Sequence, residues 1–349
     1  MEEAWWPSGW QSHTDEHVIQ PCVDPTTNRR LSFMRDVNRE QLAPLPALWP
    51  ATVVVMIGPG LGGETPMYEA QISRTNPSAF LFLIDQSGSM DGGWGGDATK
   101  KKSEALATIL NRLLQNVVLR CAKQEGIRDY YHVGVLGYGA RVGSALGGSL
   151  AGQDLIEVSR LGDNPIRIEE RSKKEDDGAG GLVERKIKLP VWVDPAADNG
   201  TPMCSALTRA RAILEPWVAQ HQSAFPPIVI NISDGEPTDG DPSAAAAAIR
   251  GLSTADGGCL LLNIHISSDR GSPIVFPSSD SGLPDDHARL LFQMSSELPP
   301  FMRNAAAQEQ LPTSEGSRGF AFQSDAAAVI QFLDIGTRPS NLADVPTDL

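Results

Sequence analysis

Three short segments of the 349-residue chain carry the side chains best suited to bind a cation. Each places hydroxyl or carboxylate groups beside a glycine, which lets the backbone approach an ion closely. The segments are Asp85-Gln86-Ser87-Gly88-Ser89, Gly200-Thr201-Pro202-Met203 and Ser233-Asp234-Gly235-Glu236. Two carboxylates and three hydroxyls would form an all-oxygen site. Such a site suits a hard divalent cation, above all Mg²⁺, which keeps water in its coordination shell.

The hydrophobic pattern around these segments predicts where they lie in the fold. Continuous apolar runs at 79–84 and 228–232 predict buried strands directly before the first and third segments. The second segment opens a predicted helix over 201–221. In an open α/β sheet, ligands bind at the edge where the carboxyl ends of parallel strands lie. We therefore expect the three segments to meet at that edge.

The rest of the chain alternates between strand and helix patterns, which predicts an α/β fold. The expected architecture is a doubly wound, mostly parallel sheet flanked by helices. Further strands are predicted at 132–138, 259–266 and 319–322, and further helices at 103–123, 243–252, 285–298 and 324–336. Residues 140–195 interrupt this alternation. Their alternating stretches at 166–171 and 184–193 surround a charged turn at 173–181 and predict an inserted antiparallel hairpin.

Taken singly, each of the three segments is an ordinary turn or helix start. Taken together and in this order, they resemble a von Willebrand factor A (VWA) domain with a metal-ion-dependent adhesion site. The similarity is to the bacterial cytoplasmic branch of the family, including proteins of tellurite-resistance gene clusters. It covers about residues 67–337 and implies a VWA/Rossmann-like fold. It leaves 1–66 as an irregular N-terminal extension and 338–349 as a C-terminal tail.

The resemblance also implies roles for five residues. The hydroxyls of Ser87, Ser89 and Thr201 would bind the metal, and Asp85 and Asp234 would bind it directly or through water. The ion would be Mg²⁺, with Mn²⁺ or Ca²⁺ as substitutes. In the family, an acidic side chain of a partner protein completes the shell. Bacterial relatives are associated with AAA+ ATPases, Ser/Thr kinases or PP2C-type phosphatases, so we expect a role in a signalling or assembly complex.

We predict a protein-binding module rather than an enzyme. Hydrolysis needs a base beside the nucleophile and groups that stabilise the developing charge, and the motifs supply neither. His132 and His265 lie in strand patterns, and Ser87 has no evident histidine partner. The alternative is a metal-dependent hydrolase in which Glu236 or Asp239 acts as the base.

A second alternative is a dinucleotide-binding enzyme. The glycines of GPGLGG (58–63) follow a predicted strand at 52–57, and Asp85 lies where a ribose-binding acid would stand, about 20 residues further on. The helix that must follow the glycines is poorly supported, because Pro66 falls in its opening turns and 68–73 alternates like a strand. Without a helix N-terminus, a pyrophosphate loses its amide donors.

Composition narrows the classes of partner and location. A formal net charge of −14 and a pI near 4.9 argue against a nucleic-acid binder. With no secretion signal and no apolar run near ~18 residues, we expect neither export nor a membrane span. The four cysteines lack CxxC pairing, so free thiols and a cytoplasmic location are expected. A zinc site at His13, His17 and Cys22 is a weak candidate.

Overall fold

The computed structural model describes residues 67–176, 182–268, 272–324 and 326–336. All of them belong to one compact unit. The glycine-rich motif, the strand predicted before it and the candidate zinc ligands lie outside the described residues. The extension, tail and domain bounds given by the resemblance stay predictions.

Sixteen strands form within the described residues. In chain order they are β1 (Ser78–Asp85), β2 (Gly93–Trp94), β3 (Asp97–Lys101), β4 (Ala122–Lys123), β5 (Gly126–Ile127), β6 (Tyr131–Tyr138), β7 (Val142–Ser144), β8 (Ile156–Glu157), β9 (Arg167–Asp176), β10 (Leu182–Val191), β11 (Ile228–Ser233), β12 (Ser253–Thr254), β13 (Gly257–Gly258), β14 (Leu260–Ile266), β15 (Ile274–Val275) and β16 (Phe320–Ser324).

Eight of these strands form one mixed sheet in the order β15-β16-β14-β11-β1-β6-β7, with β8 also paired to β6. The pairs among β16, β14, β11, β1 and β6 are parallel. The short strands β15, β7 and β8 pair antiparallel. The prediction of a mostly parallel α/β sheet is therefore confirmed.

Helices cover both faces of the sheet. They are α1 (Lys102–Cys121), α2 (Val158–Asp163), α3 (Met203–Gln220), α4 (Ser243–Arg250), α5 (Asp286–Met294), α6 (Pro300–Gln308) and α7 (Ala326–Gly336). Every residue of β1 is buried. Its side chains alternate between two cores, with Phe80 and Phe82 packing in the core of α1, α2, α6 and α7, and Leu81 and Leu83 in that of α3, α4 and α5. This alternation follows from the two-residue period of a strand.

The inserted hairpin is present where the alternation predicts it. β9 and β10 pair antiparallel over ten positions each, apart from the main sheet. Its base is fixed to α1 by Asn111, whose Oδ1 accepts from the Trp192 and Val193 amides at 2.8 and 3.1 Å. The strands run further than predicted, since β9 continues to Asp176 and the described strands enclose only 177–181.

Two parts of the prediction need correction. The helix expected over 285–298 ends at Met294, and a separate helix, α6, begins at Pro300. Consecutive prolines at 299 and 300 permit a new helix start but not a continuing one. The small hairpin of β2 and β3 is also absent from the prediction, because the two residues of β2 are too few to show periodicity and the five of β3 include no large apolar side chain. It places Trp94 in the core, where its Nε1 donates to the Ser324 carbonyl at 3.0 Å.

Within the part of the chain that the structure describes, no helix is both long and apolar enough to cross a bilayer.

Candidate functional site

The three candidate segments meet at the carboxyl edge of the sheet. β1 ends at Asp85 and β11, its parallel neighbour, ends at Ser233. The Ser233 hydroxyl donates to Asp85 Oδ2 at 2.7 Å. Thr201 lies just before α3, and its loop reaches the first segment through the Gly88 amide, which donates to the Asn199 carbonyl at 2.7 Å. Parallel pairing therefore brings together loops more than 100 residues apart in sequence.

A chain of hydrogen bonds links the candidate ligands. The Ser87 amide donates to Asp85 Oδ1 at 2.8 Å. The hydroxyls of Ser87 and Ser89 lie 2.9 Å apart, and the Ser89 hydroxyl donates to Asp234 Oδ1 at 2.6 Å. Oxygen atoms from two strand ends are thus held within a few ångströms of one another.

Thr201 is placed beside the same cluster. A methyl group added at Gly235 would lie 3.7 Å from Thr201 Oγ1 and 3.8 Å from Ser89 Oγ, so both hydroxyls adjoin one backbone position. Thr201 is only 5 % exposed. Its amide donates to Thr238 Oγ1 at 2.9 Å, but no hydrogen bond from the described residues engages its own hydroxyl. A buried hydroxyl of this kind has capacity for another ligand.

All five predicted residues therefore lie together, and their role as metal ligands stays a prediction. The donors are hydroxyl and carboxylate oxygens, the set that Mg²⁺ and Mn²⁺ prefer. Across the described ranges no group of three or more His, Cys, Asp and Glu side chains is arranged to hold a metal. The five residues fit an ion of the magnesium class, because they offer two carboxylates and leave room in its shell for hydroxyls and water.

The site holds two carboxylates close together, those of Asp85 and Asp234, and their negative charges repel each other. Burial raises the pKa of the Asp85 carboxyl above its ordinary value. Hydrogen bonds from Ser87 and Ser233 oppose this rise, and the negative charge of Asp234 adds to it. A divalent cation would relieve the strain of holding two carboxylates together away from water.

Sequence reasoning missed two residues of the site. Ser233 positions Asp85, and the neighbouring Asp234 could have drawn attention to it. Lys102 is buried at the start of α1, and its Nζ lies 2.6 Å from Asp234 Oδ2. A lysine at the start of an amphipathic helix carries no local sign of burial, so nothing in the sequence marks it.

Three of the groups considered for catalysis, His132, His265 and Asp239, have other partners. His132 Nδ1 accepts from the Trp217 indole at 2.7 Å, and His265 stacks on Phe322 with ring centroids 4.4 Å apart. Asp239 accepts from the Cys204 and Ser205 amides at 2.9 and 2.8 Å. Although burial acts to raise it, these hydrogen bonds hold the pKa of Asp239 below its ordinary value. Asp239 therefore caps α3.

The dinucleotide alternative gains no support from the residues that follow the glycines. Residues 67–77 contain no helix, so this stretch offers no helix N-terminus to a pyrophosphate. Both Asp85 oxygens accept hydrogen bonds inside the protein, and the residue is 1 % exposed. A ribose hydroxyl would have to compete with those bonds.

Comparison with known proteins gives no family assignment. No family model matches the chain, and no curated protein matches it. Among solved structures, proximal thread matrix protein 1 from the mussel byssus is 13% identical with a TM-score of 0.38, over 76% of this chain and 46% of that one. The PilB minor pilin from Streptococcus sanguinis is 11% identical with a TM-score of 0.38, over 75% of this chain and 60% of that one.

The vWF domain of the type V pili tip protein Mfa5 from Porphyromonas gingivalis is 18% identical with a TM-score of 0.25. That match covers 46% of this chain and 39% of that chain. The chain thus spans less than two thirds of the length of each of these structures. At TM-scores this low, the likenesses carry no argument about family or function.

Proposed function

We propose that the chain is a VWA-like, metal-dependent protein-binding module. One ion of the magnesium class is held by the hydroxyls of Ser87, Ser89 and Thr201, with Asp85 and Asp234 binding directly or through water. The ion leaves a position for an acidic side chain of a partner protein. The proposal is supported above all by the meeting of these five residues, from three separate loops, at one edge of a parallel sheet.

The loops of the site contribute different groups to the binding of the ion. The turn after β1 presents two hydroxyls, because the Ser87 amide is fixed to Asp85. Thr201 offers a third hydroxyl that no described residue uses. When bound, the ion supplies a Lewis-acidic position for a carboxylate oxygen. The negative charges of the buried aspartates would stabilise the ion.

The surroundings of the site favour a metal-controlled switch. Glu236, Asp239 and Asp241 are exposed residues in the loop after β11, within a chain of net charge −14. Without a metal, these carboxylates repel an acidic ligand. With the metal, the ion offers a direct bond. Partner binding should therefore depend on Mg²⁺ or Mn²⁺. The resemblance to the family makes AAA+ ATPases, Ser/Thr kinases and PP2C-type phosphatases the first partners to test.

The test is a binding assay with purified candidate partners in Mg²⁺ and in EDTA, using wild type, Thr201→Ala and Thr208→Ala. Thr208 is a matched control because it is exposed on α3 and its hydroxyl bonds to the Cys204 carbonyl. Binding should be lost in EDTA and weakened by Thr201→Ala, but retained by Thr208→Ala. Changing the critical Asp or Glu of the partner to its amide should also weaken it. A complex that survives EDTA and Thr201→Ala would show that recognition uses another surface.

A further inference from the structure

Lys102 is a buried lysine whose ammonium forms an ion pair with one candidate metal ligand, Asp234. The residue is 4 % exposed, and the Asp234 side chain with which it pairs is fully buried. The Lys102 ammonium lies 2.6 Å from Asp234 Oδ2 and donates to the Ser268 hydroxyl at 2.8 Å. Burying an ammonium is costly unless its partners compensate. The contacts with Asp234 and Ser268 supply this compensation, so the buried position of Lys102 belongs to the structure of the site.

The backbone around Lys102 fixes its approach. Its amide donates to the Gly92 carbonyl at 2.9 Å, which ties the start of α1 to the turn after Ser89. A methyl group added at Gly92 would lie 3.6 Å from Lys102 Cε. The end of the Lys102 aliphatic stem thus lies beside the turn that follows the two serines.

The ion pair between Lys102 and Asp234 restricts how the Asp234 carboxylate can coordinate a metal. Oδ2 forms the ion pair with the Lys102 ammonium, while Oδ1 accepts from the Ser89 hydroxyl. The carboxylate therefore cannot chelate an ion with both oxygens while the pair stands. It can act through Oδ1 or through a water molecule, which leaves coordination positions to the hydroxyls and to exchangeable ligands.

The ammonium also changes the charge of the loaded site. Two carboxylates, Asp85 and Asp234, and one ammonium, Lys102, sum to a formal charge of −1. A divalent ion brings this sum to +1, whereas without Lys102 it would be zero. At short range in a poorly solvated site, one unit of charge changes ion binding strongly.

We propose that Lys102 is a specificity-determining residue that keeps the loaded site positive, so that its exchangeable position selects a carboxylate over water. The cost is a weaker hold on the metal. This inference rests on the proposed function and deepens it, because it explains how a site with two aspartates can still attract an acidic partner.

The test uses the full chain as wild type, Lys102→Gln and Lys101→Gln. Glutamine can still donate a hydrogen bond to Asp234 but carries no charge. Lys101 is the matched control, since it precedes Lys102, is exposed, and pairs with Asp91 at 2.7 Å. Affinity for Mn²⁺ is measured from the free-ion electron paramagnetic resonance signal. Acetate is then titrated into the Mn²⁺-loaded protein, and displacement of bound water is followed by water-proton relaxation.

Lys102→Gln should bind Mn²⁺ about tenfold more tightly and acetate about tenfold more weakly than wild type, while Lys101→Gln should match wild type. Without metal, Lys102→Gln should melt at a lower temperature, because a buried carboxylate has lost its ion pair. If Lys102→Gln does not fold, the inference is tested on wild type alone, through the dependence of its acetate affinity on ionic strength. Its acetate affinity should fall as ionic strength rises, since a positive site attracts the anion.

Four results would overturn the inference, and they separate it from the proposed function. Equal Mn²⁺ and acetate affinities in wild type and Lys102→Gln would end this inference alone, as would a wild-type acetate affinity that does not fall with salt. A wild type and variant that both fail to bind Mn²⁺ would end the proposed function as well. Binding by Lys102→Gln alone would show that the ammonium replaces the metal in the native protein.

Discussion

Two buried polar clusters share strand β11 but use their hydrogen-bonding capacity differently. In the middle of the sheet, the Tyr138 hydroxyl donates to Asn231 Oδ1 at 2.7 Å, and Asn231 Nδ2 donates to Asn263 Oδ1 at 3.0 Å. Asn263 Nδ2 donates to Ser295 Oγ at 3.0 Å, and the Ser295 hydroxyl donates to the Leu291 carbonyl at 2.8 Å. All of these groups are neutral, and each donor is matched to an acceptor.

Two residues further along β11, the cluster at the strand end is built from charges. Asp85 and Asp234 are carboxylates, the Lys102 ammonium pairs with Asp234, and the Thr201 hydroxyl has no partner within the described residues. Burial and the nearby charge of Asp85 hold the pKa of the Tyr138 phenol well above its ordinary value, so the network below the site stays neutral. The contrast separates a closed network, which serves stability, from an open cluster with capacity for a ligand.

The largest effect should come from breaking the open cluster. Asp85→Ala removes a charged ligand and the anchor of the Ser87 amide, so Mg²⁺ affinity should fall about 100-fold or more. Asp286→Ala is the control, because that carboxylate is fully exposed on α5. Calorimetric titration with Mg²⁺ measures both. Equal affinity in Asp85→Ala and wild type would remove Asp85 from the site.

Breaking the closed network should affect stability instead. Asn263→Leu removes the acceptor of Asn231 Nδ2 and the donor to the Ser295 hydroxyl, which should lower the free energy of unfolding by about 2 kcal/mol. Mg²⁺ affinity of the folded protein should be unchanged. Urea denaturation gives the first quantity and calorimetry the second, with Asn304→Leu on the exposed side of α6 as the control. A loss of metal binding without a loss of stability would contradict the division between the two clusters.

Unlike Asn263→Leu, Thr201→Ala should mainly lower Mg²⁺ affinity and have a smaller effect on stability. The hydroxyl has no partner to lose, so the free energy of unfolding should fall only by the contribution of the buried methyl group, about 1 kcal/mol. Mg²⁺ affinity should fall about tenfold, the lower end of what a disturbed metal environment costs. A destabilised protein with wild-type Mg²⁺ affinity would place Thr201 in the structural cluster.

The smallest effect concerns a third cluster, at the amino end of β6. Burial lowers the pKa of His132, opposed by the charges of Glu157 and Asp129 and aided by His221. Because the folded protein resists protonating His132, stability is full above the ordinary histidine pKa and falls as pH drops below about 6.5. Replacing His132 with glutamine should make that fall shallower in urea denaturation between pH 7.5 and 5.5, whereas an unchanged slope would contradict it.

The parallel core and the site loops could be predicted because their signals are local. Continuous apolar runs mark β1 and β11, and the polar residues at their ends follow directly. The asparagines at 231 and 263 give no such signal. They interrupt apolar strands, and only the register that pairs Asn231 with Asn263 shows that they satisfy each other. Lys102 is similar, since its burial depends on a small hairpin and on Ser268, which is distant in sequence.

The most direct test of a divalent-ion site is a crystal of the full chain soaked in Mn²⁺ and measured for anomalous scattering. We expect one strong peak among the side-chain oxygens of Ser87, Ser89 and Thr201, and its loss in crystals of Asp85→Ala. No peak between these hydroxyls, at a Mn²⁺ concentration that saturates binding in solution, would contradict it.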